Sequence, residues 1–306
     1  MKKIVTHGVN FHNDDLFATA VVMLMLDSIG EKYKFTRVKD FNPKSWQDAD
    51  YVYDIGRIYD PKRNRFDHHQ EGGAGERENG IPYASFGLVW KKFGKKLSGS
   101  QEVADYVDRK LVQPIDAEDN GVELYEKLKF EKVGPFVFQD YIYLLSEKAS
   151  NAYEEGNVKA FDKMFNKLLP VVKELILTLI EKGKYKAVAR KKAEALMKKA
   201  KDKRVIIMNE FVGFDFSDFP EPLVTIYPDR RRKGSWCAKT VKKEDRKDSF
   251  QARMYFPKEW AGKSEDEFAA ISGVPDAYFC HNARFLMVAK SKEGILALVK
   301  KALSVL

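Results

Sequence analysis

Residues 65–70 read Arg65-Phe66-Asp67-His68-His69-Gln70, the one place where two of the five histidines are adjacent. Two imidazoles beside a carboxylate cost free energy to bury without partners, and together they are a donor set that transition metals take. Three other stretches share this character. His7 and His12 stand with Asp14 and Asp15 in Thr6-His7-Gly8-Val9-Asn10-Phe11-His12-Asn13-Asp14-Asp15. Asp54 closes the apolar run Tyr51-Val52-Tyr53 ahead of Gly56, and Asp116 and Asp119 lie in Ile115-Asp116-Ala117-Glu118-Asp119-Asn120-Gly121. Four of the five histidines thus fall in the first quarter of the chain, each near an aspartate. The pattern points to a two-metal site for phosphoester chemistry.

Outward from these motifs the apolar pattern alternates between strand and helix. Residues 2–6 predict a strand. Asp14 to about Ile29 predicts a helix that is apolar almost all round and therefore buried. Lys34 to Val38 and Tyr51 to Asp54 predict two more strands, and residues 83–97 and 101–113 two helices. The segment 57–82, rich in Gly, Arg and Asp, reads as a long functional loop. The predicted fold class is α/β: a mainly parallel sheet with flanking helices, whose site lies at the carboxyl ends of the strands.

From Phe136 to Asp202 the spacing is helical, with Pro170 expected to kink or restart the helix. Gly183 to Arg204 holds ten basic residues and reads as an exposed connecting helix. Strands are then predicted at Val205–Met208, Leu223–Tyr227, Trp236–Val241, Gln251–Phe256, Ala277–His281 and Phe285–Ala289, with a last helix from Lys292 to Leu303. These make a smaller C-terminal α+β domain. The predicted division is 1–135 for the metal-binding catalytic domain, 136–202 for a helical connector, and 203–306 for a basic substrate-binding domain.

At 306 residues, with 13% aromatic content, the chain has enough apolar material for a full core. No apolar run approaches the roughly 20 residues of a membrane span. Met1-Lys2-Lys3-Ile4-Val5 reads as a first strand and not as a signal peptide. Cys237 and Cys280 are too few for a disulfide framework, so a cytoplasmic location is expected. The net charge is +9. Residues 1–150 hold 22 Lys/Arg against 24 Asp/Glu, and residues 151–306 hold 32 against 21. The carboxylate-rich half carries the candidate metal site; the basic half suits a polyanion, although lysine-rich helices are also commonly just solvated.

Imidazole and carboxylate donors without thiolate point to Mn²⁺, with Fe²⁺, Co²⁺ or Zn²⁺ as alternatives, and fit Mg²⁺ less well. Each residue also has a plainer reading. Asp14 can cap a helix, Asp54 can bind a loop backbone, and Asp119-Asn120-Gly121 can be a turn. His281 stands alone in an apolar stretch and reads first as a core histidine. Arg230-Arg231-Arg232-Lys233 ahead of Ser235-Trp236 suits phosphate contacts and base stacking, or is a solvated loop.

Taken together, the motifs resemble the DHH phosphoesterase superfamily, most closely its branch named for a melanocyte-proliferating gene. The resemblance rests on Thr6-His7, Phe11-His12-Asn13-Asp14, Asp54-Ile55-Gly56, Arg65 to Gln70 and Asp119-Asn120-Gly121. It continues at Ser85-Phe86-Gly87-Leu88, Ser249-Phe250-Gln251-Ala252-Arg253 and Ser272-Gly273-Val274-Pro275, and runs from residue 4 to about 300. It implies that His7, His12 and Asp54 hold one ion, and that Asp14, Asp54, His68 and Asp119 hold the other, with Asp116 the alternative to Asp119. His69 would face the substrate, and Asp67 would orient a histidine. Arg253, Ser272, Gly273, Arg231 and, more weakly, His281 would contact substrate. The implied activity is 3′-to-5′ exonuclease action on RNA or short oligonucleotides. The alternatives are hydrolysis of a small phosphate (pyrophosphate or a nucleotide), or nucleic-acid binding around a structural metal. One departure is His281-Asn282-Ala283-Arg284-Phe285, where the family usually has a glycine-rich stretch that admits close backbone approach to a ligand.

Overall fold

The computed structural model describes residues 1–8, 10–40, 42–124, 133–244 and 251–305. They form two compact units, Met1–Lys184 and Tyr185–Leu306. Ser249 and Phe250 of the Ser249-to-Arg253 motif lie outside the described residues.

The first unit is built on a five-stranded sheet of order β2-β1-β3-β5-β4. Its strands are β1 (Lys2–His7), β2 (Tyr33–Val38), β3 (Tyr51–Tyr53), β4 (Tyr59–Asp60) and β5 (Arg65–Phe66). All pairs are parallel except β4 with β5. Helix α1 (Asn13–Ser28) is buried from Asn13 to Leu26, which is why its sequence shows no polar face. It packs on β1, β3 and helix α2 (Ser85–Ser98). Helices α3 (Gln101–Val107), α4 (Gln113–Asp119), α5 (Phe138–Glu154) and α6 (Ala160–Lys199) follow. Because β2 and β3 lie on opposite sides of β1, the chain reverses direction across the sheet there, and such a reversal opens a crevice at the carboxyl ends of the strands.

The second unit carries a sheet of order β6-β7-β8-β10-β9, made of β6 (Val205–Ile207), β7 (Val224–Pro228), β8 (Trp236–Thr240), β9 (Ala277–Cys280) and β10 (Leu286–Ala289). Only β6 and β7 are parallel. Helices α7 (Glu265–Ser272) and α8 (Lys292–Ser304) complete it, and Phe256, Phe268, Met287, Ile295 and Leu298 lie in its core.

Several expectations are corrected. The segment 57–82 is not all loop, since it contains β4 and β5; strands of two residues are too short to show a period. Gln251–Phe256 alternates buried and exposed side chains, but among the described residues its pairing is limited to the bridge from Ala252 to Lys242 and the flanking hydrogen bonds from Lys243 N to Gln251 O and from Arg253 N to Val241 O, which is too short for a strand. Pro170 does not restart the helix, which runs unbroken from Ala160 to Lys199; both it and Asn166, whose carbonyl loses its amide partner, are on the exposed side. The basic stretch from Gly183 is not exposed all round: Ala189, Ala193 and Met197 pack on Ile206, Met208 and Phe216. Helix α7 was not foreseen.

Candidate metal centre

The sheet closes the sequence gaps. In the parallel registers Val5 pairs with Val52, and Tyr53 pairs with Phe66. One step beyond, His7, Asp54 and Asp67 emerge side by side at the carboxyl ends of β1, β3 and β5. The turn after β3 is tight. Asp54 takes a left-handed φ of 55°, a conformation that costs a non-glycine residue free energy and gathers at functional sites. Gly56 follows at φ 100°, where a Cβ would meet the Trp46 ring at 2.8 Å.

Asp54 is central. Its Oδ2 lies 3.0 Å from His7 Nε2, and its Oδ1 lies 3.6 Å from His68 Nε2 and 3.6 Å from His69 Nδ1. Ligand atoms of His7, His12 and Asp54 come within 4.8 Å of one another, as do those of Asp14, His68 and Asp119. Asp54, Asp67, His68 and His69 form a third such group.

Asp14 does not cap its own helix. His12 occupies that position, and its backbone N–H donates to Asp15 Oδ1 at 2.8 Å. The Asp14 carboxylate instead accepts from the amides of Ser85 (3.1 Å) and Phe86 (2.6 Å), so it caps α2. Asp15 Oδ2 faces His7 Nε2 at 3.6 Å. Asp67 is buried and accepts from the backbone of His68 (2.8 Å), His69 (3.1 Å) and Arg57 (2.5 Å). It also takes His69 Nδ1 at 2.8 Å, and the His69 side chain is 57% exposed.

Asp116 and Asp119 part ways. Asp119 Oδ2 lies 3.1 Å from His68 Nε2. Asp116 accepts from Gly87 N (2.9 Å) and pairs with Arg77 (2.7 Å), which also reaches Asp108 (3.0 Å). Asp116 belongs to none of the three ligand groups.

The electrostatics are those of a cation site. Burial opposes charge on His7 and His68, yet the surrounding carboxylates prevail: Asp15 and Asp54 raise His7 to about 9, and Asp119, Asp54 and Asp14 raise His68 to about 11. Burial, with Asp119 and Asp54 beside it, pushes Asp14 well up. Burial also pushes on Asp54, but the His68 and His7 rings hold it well below the usual carboxylate range. Buried Asp15 Oδ2 and His68 Nε2 have no hydrogen bond of proper alignment. Orphaned nitrogen and oxygen atoms converging in one place fit divalent cations of the Mn²⁺, Fe²⁺ or Zn²⁺ kind.

A cavity of 590 Å³ adjoins the cluster; its lining includes His7, His12, Asp54, Asp67 and His69 together with Pro43, Trp46, Ile55 and Arg57. Its size suits a nucleotide-sized ligand.

The residues expected to contact substrate in the second unit have other engagements. Arg253 donates to the carbonyls of Ser217 (2.6 Å), Phe219 (2.5 Å), Pro220 (3.2 Å) and Pro222 (3.0 Å). Ser272 is buried and donates to Phe268 O at 2.6 Å. Gly273 ends α7 at a left-handed φ of 60°. His281 Nδ1 accepts from Ala283 N at 3.0 Å. Arg231 is exposed and pairs with Asp229 at 3.4 Å. Among the described residues no hydrogen bond or ion pair joins these five to one another.

Sequence reasoning missed Arg77, one of five cations in the segment assigned to loop, and Glu118. The Glu118 carboxyl is pushed up to about 7 by burial and by Asp140 and Asp119. The only cue to Glu118 was its place between Asp116 and Asp119.

Residues 3–303 match the MYG1_exonuc profile, described as an uncharacterised protein family, UPF0160. The MYG1 protein of Chlamydia trachomatis is 30% identical over 299 residues, covering 96% of this chain and 93% of that protein. The MYG1 protein of Saccharomyces cerevisiae is 27% identical over 331 residues, covering 99% and 96%. The MYG1 exonuclease of Homo sapiens is 24% identical over 338 residues, covering 99% and 86%. Among solved structures, RecJ of Thermus thermophilus in complex with Mn²⁺ aligns at 12% identity and a TM-score of 0.28, with 99% of this chain and 52% of RecJ covered. This chain therefore spans about half the RecJ length. By the near full-length match to the family profile and to these relatives, the chain belongs to the MYG1 exonuclease family.

Proposed function

We propose that the chain is a metal-dependent phosphoesterase that removes nucleotides from the 3′ end of RNA or short oligonucleotides. The observation that carries this reading is the position of Asp54, one oxygen turned to His7 and the other to His68. A carboxylate so placed would be available to two cations at once. His7, His12 and Asp54 would hold one; Asp14, Asp54, His68 and Asp119 would hold the other; Mn²⁺ suits these donors best. Bound divalent cations supply a lowered pKa to water and stabilise charge on phosphate oxygens.

The chain's own residues do the rest. Asp67 fixes His69 through Nδ1, so Nε2 is the atom free to donate a proton to a phosphate or leaving oxygen. Trp46, Ile55 and Arg57, which also line the cavity, offer apolar and cationic surface to the remainder of a nucleotide. The similarity to the human MYG1 exonuclease supports a nucleic-acid substrate. Among the described residues no helix is long and apolar enough to cross a membrane. Cys237 and Cys280 are free, which suits a reducing, cytoplasmic compartment.

Asp116 is assigned a supporting role, because Arg77 and Gly87 engage it. Arg253 and Ser272 likewise read as braces of the second unit and not as substrate contacts, since backbone carbonyls take their donors.

The test is incubation of the purified chain with Mn²⁺ and single-stranded RNA labelled at its 5′ end. A descending ladder from the 3′ end is expected. Intact RNA together with hydrolysed pyrophosphate overturns the exonuclease reading in favour of a small phosphate substrate.

A further inference from the structure

At one end of the second sheet the registers bring four strand ends into line. Pro228 pairs with Trp236, Trp236 with Ala289, and Ala289 with Ala277. The loop from Asp229 to Ser235 projects from this end, α8 begins beside it at Lys292, and three aromatic rings here each carry a cation. The Arg232 guanidinium lies 3.7 Å from the Tyr278 ring centroid, Arg230 lies 4.4 Å from Phe211, and Lys292 Nζ lies 4.8 Å from Trp236. Phe211, Arg230 and Arg232 are exposed, and Trp236, Tyr278 and Lys292 half-buried.

Two features separate this from a solvated charge run. First, among the described residues no carboxylate pairs with Arg230, Arg232 or Lys292. Asp229 takes Arg231 at 3.4 Å, and Asp276 takes the Ser291 hydroxyl. Lys292 has only a long contact to Asn209 at 3.4 Å. Glu293, next to Lys292 in sequence, is exposed. Second, a guanidinium lying on a ring is already oriented, so its N–H edge can meet an oxyanion with less loss of side-chain freedom. Cations alternating with rings match the alternation of phosphates and bases in an unpaired strand.

We propose that this end of the sheet is a binding platform for single-stranded nucleic acid. Arg230, Arg232 and Lys292 take phosphates, and bases stack on the outer faces of the guanidiniums and on the edges of Phe211, Tyr278 and Trp236. It is a different place from His281, which follows the opposite end of β9 and hydrogen-bonds Leu286 at the opposite end of β10. The biological use of the platform rests on the exonuclease reading above; the binding does not.

The full chain is titrated in EDTA against a fluorescein-labelled RNA of about 12 nucleotides, a length within the span of such sites. The R230A/R232A/K292A variant should bind at least tenfold more weakly. Its log–log salt slope should be shallower by about two, as expected for three lost phosphate contacts on a single strand. A charge-matched K44A/K95A/K96A variant should change affinity less than twofold, and both variants should melt like the wild type. Affinity unchanged in R230A/R232A/K292A overturns the proposal. So does displacement of the RNA by inorganic polyphosphate as effective as by unlabelled RNA, since that marks a bare anion site. If the variant binds normally while the wild type trims RNA with Mn²⁺, the platform fails and the exonuclease reading stands. If binding depends on the three cations but neither RNA nor thymidine p-nitrophenyl phosphate is hydrolysed, the platform stands and the exonuclease reading fails.

Discussion

The amide of Gly87 donates to Asp116 Oδ1 at 2.9 Å, and a Cβ on Gly87 would stand 1.8 Å from Asp116 Oδ2. Two elements that help build the candidate metal site meet at this contact. Helix α2 receives Asp14 at Ser85 and Phe86, and α4 carries Asp119 one turn beyond Asp116. The N-terminal amides of α2 are thus shared between two carboxylates, one in a ligand group and one outside it.

Gly87→Ala should therefore act through packing on the position of Asp119. A methyl group forces backbone and carboxylate apart at a cost of about 1–3 kcal/mol, and hydrolysis should fall at least tenfold as α4 shifts. Thermal melting and Mn²⁺ affinity are the readouts. A variant with wild-type melting temperature and wild-type Mn²⁺ binding would show that the contact is not needed.

Arg77→Met tests the buried pair. Burial pushes the Asp116 carboxyl up to about 7 even with Arg77 beside it. A carboxyl raised above its ordinary 3.8 contributes stability that is fully present below that value and is lost as pH rises through 7. Removing the guanidinium raises it further. The loss of stability should be small near pH 5, where Asp116 holds a proton with or without Arg77. Above pH 8 it should reach about 3 kcal/mol, the usual cost of stranding a buried charge. Urea melts at the two pH values decide it, and equal losses at both would rule out the charge on Asp116 as the cause.

Much of this was legible in the sequence, for stated reasons. Buried α1 announced itself by having no polar face, and β1 and β3 by short apolar runs ending in His7 and Asp54. The residues of the candidate centre were legible because imidazole and carboxylate rarely cluster without a purpose. What escaped was set by tertiary contact. Strands β4 and β5, of two residues each, exist only through their neighbours. The distinction between Asp116 and Asp119 depended on Arg77, which lies 39 positions before Asp116. The engagement of Arg253 with four carbonyls could not be read from its motif, because those carbonyls lie in residues 217–222.

Asp54→Asn should reduce hydrolysis by at least about 10³-fold, the scale expected for removing a charged group essential to transition-state stabilisation. The amide keeps the shape of the carboxylate, so the melting temperature of the metal-free chain should change little, while Mn²⁺ binding weakens. His69→Gln should behave differently: metal binding is retained, and the rate falls roughly 10²-fold or more with loss of a proton donor. Equal losses of Mn²⁺ affinity in both variants would place His69 among the ligands and not opposite the substrate.

Proton release gives a further check on the ligand set. With His7 raised to about 9 and His68 to about 11, both imidazoles of the metal-free chain carry protons at neutral pH. A cation must displace them, because only the neutral ring has a lone pair to offer. Apparent Mn²⁺ affinity should therefore rise with pH across pH 6.5–8.5, by up to about tenfold per pH unit for each proton displaced. Titration calorimetry in two buffers of different ionisation enthalpy should show net proton release near pH 7.5, and His68→Gln should lower the number released. Mn²⁺ binding independent of pH, with no proton release in either buffer, would mean that His7 and His68 do not hold the cation.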